Sequence, residues 1–423
     1  ILTNANKDDS YPVGLLTSQR RDHWAESRIL LMKDEQNQQN LKMIEECLLI
    51  ICLDKKPLPV KFNRKSGPKG GDSLKVDNRD ETNMAHQMLH GGGSSYNSPN
   101  RWFDKTIQLV LCSDGVCGLC YEHSPCEGIA VIQLVEEFLE NCKDLTPGSP
   151  SVQPYSNALQ LLTWNLTPTL HSHIRDAADS LDNLIEDLDF YVYRFASYGK
   201  DFIKDCKISP DVYIQLALQL AYHRIYGRLT ATYESASTRR FLLGRVDCIR
   251  SATVEALQWA AAMNQTETEE NNYQDLLQPS KRVTFSLYTE TEKLKFFDSA
   301  VKRQTEIMVE NIVGQGIDIH LLGLREQGKE MGFHLELFED DAYKISNHFA
   351  LSTSQVSTKS ESFMGYGPVV PDGYGASYNF RSDSIIFCIS AFHSCETTKA
   401  ARFTQSLEDS LNSMRVLLEQ RQK

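Results

Sequence analysis

The stretch TIQLVLCSDGVCGLCYEHSPCEGIAVIQLVEEFLEN, residues 106–141, decides what fold we expect for the first half of the chain. Two strand-like apolar runs flank Ser113-Asp114-Gly115, a combination typical of the turn in a β-hairpin. Residues 129–141, which follow His123, repeat apolar side chains at helical spacing. The stretch therefore predicts a hairpin, a corner that carries a histidine, and an amphipathic helix.

The rest of the chain mixes helical and strand-like patterns. Residues 40–53 fit either a helix or a buried strand, and 347–356 and 384–392 resemble strands. Helices are expected at 175–195, 211–228, 253–263, 291–313 and 397–420. This alternation predicts a mixed α/β protein.

Three polar regions interrupt these patterns. Residues 63–100 and 264–283 have the composition of loops or surface insertions. The Pro-, Ser- and Thr-rich stretch 143–170 is a candidate connection between two domains. A chain of 423 residues is also longer than one ordinary domain.

Composition excludes several classes of protein. The net charge of −12 argues against nucleic acid as the main partner, and no apolar run approaches the roughly 18 residues of a membrane span. The eleven cysteines lie mostly in apolar runs, which predicts buried free thiols in a reducing compartment rather than disulfides. No signal peptide is visible, and because the chain starts at Ile1 and not at a methionine, we expect a fragment.

His123 is the leading candidate for chemistry. An isolated histidine more often has a structural role, bonded to a backbone group. A histidine in a loop after a strand can instead face a cleft, and imidazole titrates at a pH that suits a general base. Glu127 and Gly128 complete an H-x-x-x-E-G motif, in which the carboxylate could pair with an arginine and fix the loop.

Two other motifs favour structural interpretations. HGGG at 90–93 resembles the oxyanion motif of some lipases, but the chain lacks the G-x-S-x-G elbow that this function needs, so we expect a flexible turn. Cys117 and Cys120 form a C-x-x-C inside a strand-like run without a second pair, which predicts buried thiols and no metal site.

Two further segments leave the choice between structure and function open. Lys200, Lys204 and Lys207 precede a predicted helix start and form either a solvated cluster or a phosphate-binding patch. LSTSQV at 351–356 contains three hydroxyl side chains. They are either ordinary strand residues or donors presented to an oxyanion.

Six segments, in this order, resemble the carnitine/choline acyltransferase family. They are RWFDKTIQLVLCSDGVCGLCYEHSPCEGI, YGKDFIK with the following SPD, TYESASTRRF with GRVDCIRSAT, HLLGLRE, LSTSQV and YGPVVPDGYG. Together they span nearly all of 11–420. Any one of them is a weak signal, whereas six in order form a specific one.

The resemblance implies a CoA-dependent acyltransferase fold of two α/β domains with an active-site tunnel at their interface. Residues 1–166 would carry the catalytic histidine, with the first residues able to pack on the other domain, and 167–423 would bind CoA and the acceptor. Acetyl-CoA would be a co-substrate, with no tightly bound cofactor and no metal. We expect a cytoplasmic monomer.

The resemblance also assigns catalytic roles. His123 would take the proton from the acceptor hydroxyl, which attacks the thioester directly without an acyl-enzyme. Ser354 would donate a hydrogen bond to the developing oxyanion, an interaction worth about 3–4 kcal/mol in the transition state. Glu127 would pair with Arg245 and hold the histidine loop. Contacts to CoA are implied for Lys200, Lys204, Asp211, Ser237, Arg240 and Gln355.

The acceptor follows from charge. The carnitine enzymes place a threonine and an arginine where this chain has Val246 and Ile319, so a bound carboxylate would lack a partner. Choline has no carboxylate, and its ammonium can lie against the aromatic faces of Tyr233 and Tyr366, with Ser235 as a further contact. The resemblance therefore implies acetyl transfer to choline.

Met364 would narrow the acyl pocket and favour acetyl groups. Two alternatives stay open: transfer of acetyl to carnitine, and a non-catalytic relative that only binds CoA. His123 and Ser354 argue against the second alternative. A hydrolase is disfavoured because the nucleophile elbow is missing.

Overall fold

The computed structural model describes residues 11–62, 79–145, 161–264, 266–268, 284–355 and 357–421. They form two compact units of mixed α/β structure. The first unit contains the described residues up to Val192 and the described part of Val356–Gly365. The second unit contains Tyr193–Gln355 and the described part of Tyr366–Lys423.

The described part of the first unit contains a three-stranded sheet and five α-helices, which precede, separate and follow the strands along the sequence. Its elements are α1 (Arg21–Leu31), α2 (Glu35–Glu46), β1 (Ile50–Asp54), α3 (Glu81–Leu89), β2 (Ile107–Cys112), β3 (Cys117–Tyr121), α4 (Gly128–Cys142) and α5 (Pro168–Asp187). β1 pairs in parallel with β2, and β2 pairs antiparallel with β3. The predicted hairpin and the helix after His123 are confirmed.

The core of the first unit is aromatic and aliphatic. Trp24 meets Trp102 edge-on with ring centroids 5.7 Å apart, and Trp102 stacks on Trp164 at 6.3 Å. The buried residues of this cluster are Val13, Leu15, Leu16, Trp24, Leu31, Leu41, Trp102, Leu170, Ile174, Ala177, Leu181 and Ile185. Burial of these side chains supplies the main driving force for folding of the unit.

A fully buried ion pair lies at the carboxyl end of β1. Arg101 donates two hydrogen bonds to Asp54, at 2.7 and 2.8 Å, and neither side chain is exposed. Gln87 of α3 donates a further bond of 2.8 Å to the same carboxylate. These bonds satisfy a charge whose burial would otherwise be costly.

The HGGG segment is a turn, as predicted, but it is tightly packed. Gly91, Gly92 and Gly93 are buried, with φ angles of 77°, 91° and 112°. A Cβ on Gly92 would lie 2.4 Å from Leu58 Cδ2, so the side chain of Leu58 already fills the space that a larger residue would need. The expectation of flexibility is therefore wrong, because positive φ and close packing both require glycine here.

Two buried histidines, His86 and His90, lie next to this turn. His86 Nδ1 is 2.8 Å from His90 Nε2, and the amide of Gly92 donates to His90 Nδ1 at 2.9 Å. Burial lowers the pKa of His86 to about 4 and the pKa of His90 well below its usual value. Both rings are therefore neutral near pH 7.

The second unit is larger. Its helices and strands are α6 (Lys200–Asp205), α7 (Pro210–Tyr226), β5 (Thr232–Ser237), β6 (Val246–Ile249), α8 (Val254–Asn264), β7 (Thr266–Thr268), β8 (Thr284–Ser286), α9 (Glu290–Ile312), α10 (Asp318–Glu330), α11 (Asp341–Ser346), β9 (Leu351–Gln355), β10 (Tyr374–Phe380), β11 (Ile385–Phe392) and α12 (Ala400–Arg421). β4 (Leu188–Phe195) leads into it from the first unit. The predicted helices at 211–228, 253–263, 291–313 and 397–420 are confirmed.

Six strands form the main sheet of this unit, in the order β4-β11-β10-β9-β5-β6. The central strands β10, β9 and β5 run parallel, and β11 and β6 run antiparallel to their neighbours. β7 and β8 form a separate two-stranded ribbon. α7 is buried from Val212 to Tyr222, which identifies it as the central helix of the core.

The prediction of one helix over 175–195 is wrong in its last third. α5 ends at Asp187, and β4 follows without a loop. The sequence of β4, LDFYVYRF, is rich in aromatic residues, which favour strands. Pairing with β11 lets this segment join the sheet.

All eleven cysteines are free, as expected. Four are buried: Cys52, Cys112, Cys248 and Cys388. Cys117 is exposed on β3, so the expectation that both thiols of the C-x-x-C are buried is wrong. Within the described ranges, no helix is long and apolar enough to cross a membrane, and no group of three or more His, Cys, Asp or Glu side chains is arranged to hold a metal ion.

Candidate active site

His123 lies at the corner between β3 and α4, as the sequence predicted. Its Nδ1 is 2.9 Å from the carbonyl oxygen of Cys126, and the amide of Cys126 donates to the carbonyl of His123 at 3.2 Å. These two contacts close a short turn that fixes the orientation of the ring. The side chain is exposed at the surface of the first unit.

The contact with Cys126 also selects the tautomer. A carbonyl oxygen only accepts hydrogen bonds, so Nδ1 must carry the proton in the neutral ring. Nε2 is then the basic nitrogen. The geometry of this corner therefore suits a general base that acts through Nε2.

Tyr121 connects His123 with Met364. The tyrosine ring meets the imidazole edge-on, with centroids 5.8 Å apart and planes at 84°. Its hydroxyl lies 3.8 Å from the sulfur of Met364. The first unit thus brings the candidate base and the candidate acyl-pocket residue to either side of one phenol ring. No sequence motif indicated Tyr121, although this last residue of β3 lies two positions before His123, a spacing that could have suggested a shared face.

The segment that carries Met364 is held by α4. The carboxylate of Glu136 accepts hydrogen bonds from the amides of Lys359 and Ser360, each at 3.0 Å, and from the hydroxyl of Ser360 at 2.9 Å. The bond from the amide of Ser360 is the main cause that lowers the pKa of Glu136. Because α4 begins just after His123, the same helix supports both the histidine corner and the Met364 segment.

Glu127 is the residue that precedes α4, and its carbonyl accepts the first helical bond, from Ala130 at 3.0 Å. Arg245 belongs to the second unit, at the end of the loop between β5 and β6. This loop closes tightly: the amide of Thr238 donates to the Arg245 carbonyl at 3.1 Å. The pairing of Glu127 with Arg245 stays a prediction.

Ser354 and Gln355 lie at the carboxyl end of β9, in the middle of the main sheet. Ser354 is in register with Ser377 of β10, and Gln355 with Tyr378. Both candidate side chains are half-buried, whereas the preceding residue, Thr353, is buried. A hydroxyl at the end of a central strand is held rigidly, which a preorganised oxyanion donor needs.

Tyr233 and Tyr366, the candidate aromatic contacts for an ammonium group, meet at one residue of β9. Tyr233 is in register with Ser352, and the hydroxyl of Tyr366 donates to the carbonyl of Ser352 at 2.9 Å. Gly375 permits this approach, since a Cβ there would lie 3.2 Å from the Tyr366 ring. Ser235 extends the group, with its hydroxyl 3.4 Å from that of Tyr233.

Val246 is the first residue of β6, and Ile319 is the second residue of α10. Two contacts fix these elements to each other. Arg250, just after β6, forms an ion pair of 2.5 Å with Asp318, the residue before Ile319. Gly316 packs against Asp247, since a Cβ added to Gly316 would lie 2.2 Å from the Asp247 carboxylate. The side chain of Ile319 is 50% exposed, so an apolar surface is available to a ligand.

Two more candidate residues lie in the strand pair and loop near Val246. Ser237 of β5 is in register with Val246. Arg240 lies in the loop that follows, with its guanidinium 5.6 Å from the centre of the Phe241 ring. Gly244 lets this loop close, because a Cβ there would lie 2.1 Å from the Thr238 carbonyl oxygen.

Both candidate CoA-binding lysines lie within the short helix α6. Lys200 is its first residue and Lys204 is exposed in its last turn. The amide of Lys200 donates to the carbonyl of Arg381 at 2.9 Å, which anchors the helix on the loop between β10 and β11. Asp211 lies in the first turn of α7 and accepts a bond of 2.5 Å from Tyr378.

A family model described as choline/carnitine O-acyltransferase matches residues 1–409. The chain belongs to this family. The resemblance of the six sequence segments to this family is thereby confirmed.

Several curated relatives of the family are similar over almost the whole chain. A choline O-acetyltransferase from Drosophila melanogaster is 54% identical over 417 residues, covering 96% of this chain and 57% of that protein. The human choline O-acetyltransferase is 43% identical, with 98% and 51% covered. A carnitine O-acetyltransferase from Columba livia is 42% identical, with 96% and 60% covered. The chain thus spans between 51% and 60% of the length of these relatives.

Solved structures are more distant. A wax ester synthase/diacylglycerol acyltransferase from Marinobacter aquaeolei VT8 aligns with 12% identity and a TM-score of 0.33, covering 74% of this chain and 71% of that chain. A similarity at this level does not establish a shared fold.

Among the described residues lies a buried polar cluster that the sequence motifs did not indicate. Its members are nearly inaccessible to solvent and come from four elements: Glu234 from β5, Thr353 from β9, Tyr378 from β10 and Gln215 from α7. The pattern gave a weak signal: Glu234 is a charged residue at a buried position of β5, between the candidate residues Tyr233 and Ser235.

Proposed function

We propose that this chain is part of a choline O-acetyltransferase, which transfers the acetyl group of acetyl-CoA to the hydroxyl of choline. The observation that carries the proposal is the 54% identity to the choline enzyme of Drosophila melanogaster over 96% of this chain. The aliphatic side chains at Val246 and Ile319 support choline as the acceptor.

In the proposed reaction His123 is the general base. The Nδ1 contact with Cys126 leaves Nε2 to take the proton from the choline hydroxyl. The oxygen then attacks the thioester carbonyl, and the tetrahedral intermediate collapses as the carbon–sulfur bond breaks. The CoA thiolate leaves and takes up the proton from the imidazolium, so acetylcholine and CoA are the products.

Ser354 is the proposed oxyanion donor. The negative charge that develops on the carbonyl oxygen is stabilised by a hydroxyl already held at the end of β9. Losing a donor of this kind lowers the rate by about 10²–10³. The contact between Glu127 and Arg245 would keep the histidine corner aligned.

The acceptor would lie against Tyr233, Ser235 and Tyr366. A quaternary ammonium is attracted to the faces of aromatic rings. Val246 and Ile319 offer no cation or hydrogen-bond donor to a carboxylate, so carnitine would lose the partner that its charge requires. Met364, supported by Tyr121, would limit the acyl group to a short one.

CoA would be held at the other candidate positions. Lys200 and Lys204 would bind its phosphates, with Arg240 as a further cation. Asp211, Ser237 and Gln355 would supply polar contacts. We propose the two-domain CoA-dependent acyltransferase fold with a tunnel between domains 1–166 and 167–423, in a cytoplasmic monomer.

A competition between acceptors tests the proposal. CoA release from acetyl-CoA is measured with choline and with carnitine at equal concentrations, using the protein that carries this chain. A clear preference for choline is expected. A preference for carnitine would overturn the acceptor assignment. The chain would then act like the carnitine O-acetyltransferase of Columba livia, to which it is 42% identical.

The variant His123→Ala separates catalysis from binding. It should abolish transfer while CoA still binds, measured by calorimetry. Unchanged transfer would remove His123 from the mechanism. CoA binding with no transfer by the parent protein would favour the alternative of a non-catalytic relative.

A further inference from the structure

The two faces of the main sheet carry different groups. Side chains alternate between the faces along a strand, and residues in register on neighbouring strands share a face. Tyr233 of β5 is in register with Ser352 of β9, so these two residues and Ser354 point to one face, which we call the reaction face. Thr353 points to the opposite face, which we call the back face, and is buried there. The candidate acceptor contact and the candidate oxyanion donor thus share one side of the sheet, with Thr353 on the other.

α7 reaches the back face through Gln215, which is fully buried. The Nε2 group of Gln215 donates to the hydroxyl oxygens of Thr353 and Tyr378, at 2.9 Å each. The hydroxyl of Thr353 donates in turn to the carbonyl oxygen of Tyr233, at 2.7 Å. One amide group therefore joins α7 to β9 and β10 directly, and to β5 through Thr353.

The ends of this network determine the direction of every hydrogen bond in it. The hydroxyl of Tyr378 donates to the carboxylate of Asp211 at 2.5 Å, and the hydroxyl of Thr353 donates to a backbone carbonyl. A carboxylate and a carbonyl accept hydrogen bonds and have no proton to give. Both hydroxyl oxygens have thus used their own protons and can only accept. The amide NH₂ of Gln215 supplies both of the protons that they accept.

The position of Thr353 constrains Ser354, the next residue of β9. Thr353 is bonded on the back face to α7 and to β5, so the peptide that carries Ser354 has little freedom to shift relative to β5. An oxyanion donor has to be in place before the charge develops. A shift of about 1 Å at a reacting group can lower the rate about a hundredfold.

We propose that Gln215 is a positioning residue for acetyl transfer, which holds Ser354 in the geometry of an oxyanion donor by fixing Thr353 from the back face. The proposal rests on the proposed function and deepens it. Gln215 is buried beneath the sheet and needs no contact with either substrate. Its effect on the reaction passes through Thr353 to Ser354.

α7 also offers a matched control in Gln219, one turn after Gln215. Gln219 is fully buried as well, and its Nε2 group donates to the hydroxyl of Thr232 at 3.0 Å. That hydroxyl donates to the carbonyl of Thr230, also at 3.0 Å. This second glutamine therefore holds the beginning of β5 and not β9.

The first experiment compares Gln215→Met with Gln219→Met, because methionine is also unbranched and has no donor. Steady-state rates with choline and acetyl-CoA give kcat and both KM values. We expect kcat of Gln215→Met to fall at least about tenfold with both KM values within about threefold of the parent, since an oxyanion bond acts in the transition state. Gln219→Met should keep kcat within about threefold of the parent. Equal falls of kcat in the two variants would indicate a general loss of packing and would overturn the proposal.

A cycle of variants with Ser354→Ala tests the route of the effect. If Gln215 acts through the Ser354 hydroxyl, adding Gln215→Met to Ser354→Ala should lower kcat by less than about twofold further. A further fall as large as in the parent background would mean that the two residues act independently, which contradicts the proposal.

Variants of Thr353 keep the proposal testable if Gln215→Met does not fold. Thr353→Ser retains the hydroxyl and should behave as the parent, whereas Thr353→Val removes it and should lower kcat as Gln215→Met does. A Thr353→Val enzyme with the kcat of the parent would rule out the route through this hydroxyl.

Amide hydrogen exchange measures the tether without an activity assay. Exchange in a peptide covering residues 351–355 should be faster in Gln215→Met than in the parent and unchanged in Gln219→Met. Unchanged exchange in Gln215→Met would refute the tether. A failure of the proposed function would look different: the parent would not acetylate choline, or Ser354→Ala would keep the full rate, while exchange in this peptide would still respond to Gln215→Met.

Discussion

The ring of Tyr121 stands edge-on to the ring of His123, with centroids 5.8 Å apart. The hydroxyl at the opposite end of the phenol reaches the sulfur of Met364. One side chain therefore contacts both the candidate base and the candidate acyl-pocket residue, and its ring and its hydroxyl can be tested separately.

Replacing Tyr121 by Phe should change the choice of acyl group more than the rate. The ring against His123 stays, whereas Met364 loses its contact with the hydroxyl and gains freedom to move. We expect acetyl transfer within about threefold of the parent and butyryl transfer raised about tenfold, since pocket methylenes contribute about 1–3 kcal/mol. Initial rates with acetyl-CoA and butyryl-CoA measure this.

Tyr121→Ala is the companion variant. It also removes the edge-on contact, worth about 0.5–1.5 kcal/mol, so acetyl transfer should fall about tenfold. If both variants keep the acyl preference of the parent, Tyr121 does not control the pocket through Met364.

The double variant Val246→Thr with Ile319→Arg should move activity toward carnitine. The new hydroxyl and guanidinium would supply partners for a carboxylate, and the guanidinium would repel the ammonium of choline. We expect the ratio of kcat/KM for carnitine over choline to rise by at least a hundredfold. Ile319→Met, which adds no charge, is the control. An unchanged ratio would show that the carboxylate does not bind at these positions.

Arg101→Met should destabilise the first unit strongly. Removing the guanidinium leaves the carboxylate of Asp54 buried with only neutral partners, which costs about 3–5 kcal/mol of unfolding free energy. Urea unfolding measures the change. Lys42→Ala breaks an exposed ion pair with Glu46 in the same unit and should leave the midpoint close to that of the parent. Equal effects of the two changes would contradict the role given to burial.

The buried pair His86 and His90 should make the protein sensitive to acid. Both have a lowered pKa in the folded state, so only the unfolded chain binds these protons as the pH falls below about 6.5. Stability is therefore lost from about pH 6.5 downward, by about 1.4 kcal/mol per pH unit for each ring, until the folded rings titrate.

Unfolding free energies at pH 7.5, 6.5 and 5.5 (about these values) test this sensitivity. His86→Gln should lower the stability at every pH but flatten the slope by about 1.4 kcal/mol per unit. His23→Gln, at an exposed position of α1, should leave the slope unchanged. A parent whose stability does not vary below pH 6.5 would rule out neutral buried rings.

Local sequence patterns were sufficient to predict those helices and strands whose residue preferences agree with their tertiary environment. The hairpin and the helix around His123 were predicted because a turn tripeptide, alternating strands and helical spacing all lie within one stretch. α7 was predicted from its Ser209 and Pro210 start signal. In contrast, β4 was mistaken for helix, since only its pairing with β11 decides that Leu188–Phe195 is a strand.

The candidate site divides in the same way. The order of the motifs indicated the family. Within the motifs it also indicated His123 and the candidate binding residues on β5 and β9, because each motif is a contiguous stretch of sequence. The motifs did not indicate Tyr121 as a neighbour of Met364, or Gln304 as a hydrogen-bond partner of Glu234. The two residues are 243 positions apart in the first case and 70 in the second.

The amino-acid sequence by itself thus determined the family, the chemistry offered by each candidate side chain, and most of the helices, because these depend on residue type and short-range spacing. Only the tertiary structure decided which groups share an environment. The neutral pair of buried histidines and the contact between Met364 and Tyr121 both arise from burial and distance, which cannot be read from neighbours along the chain.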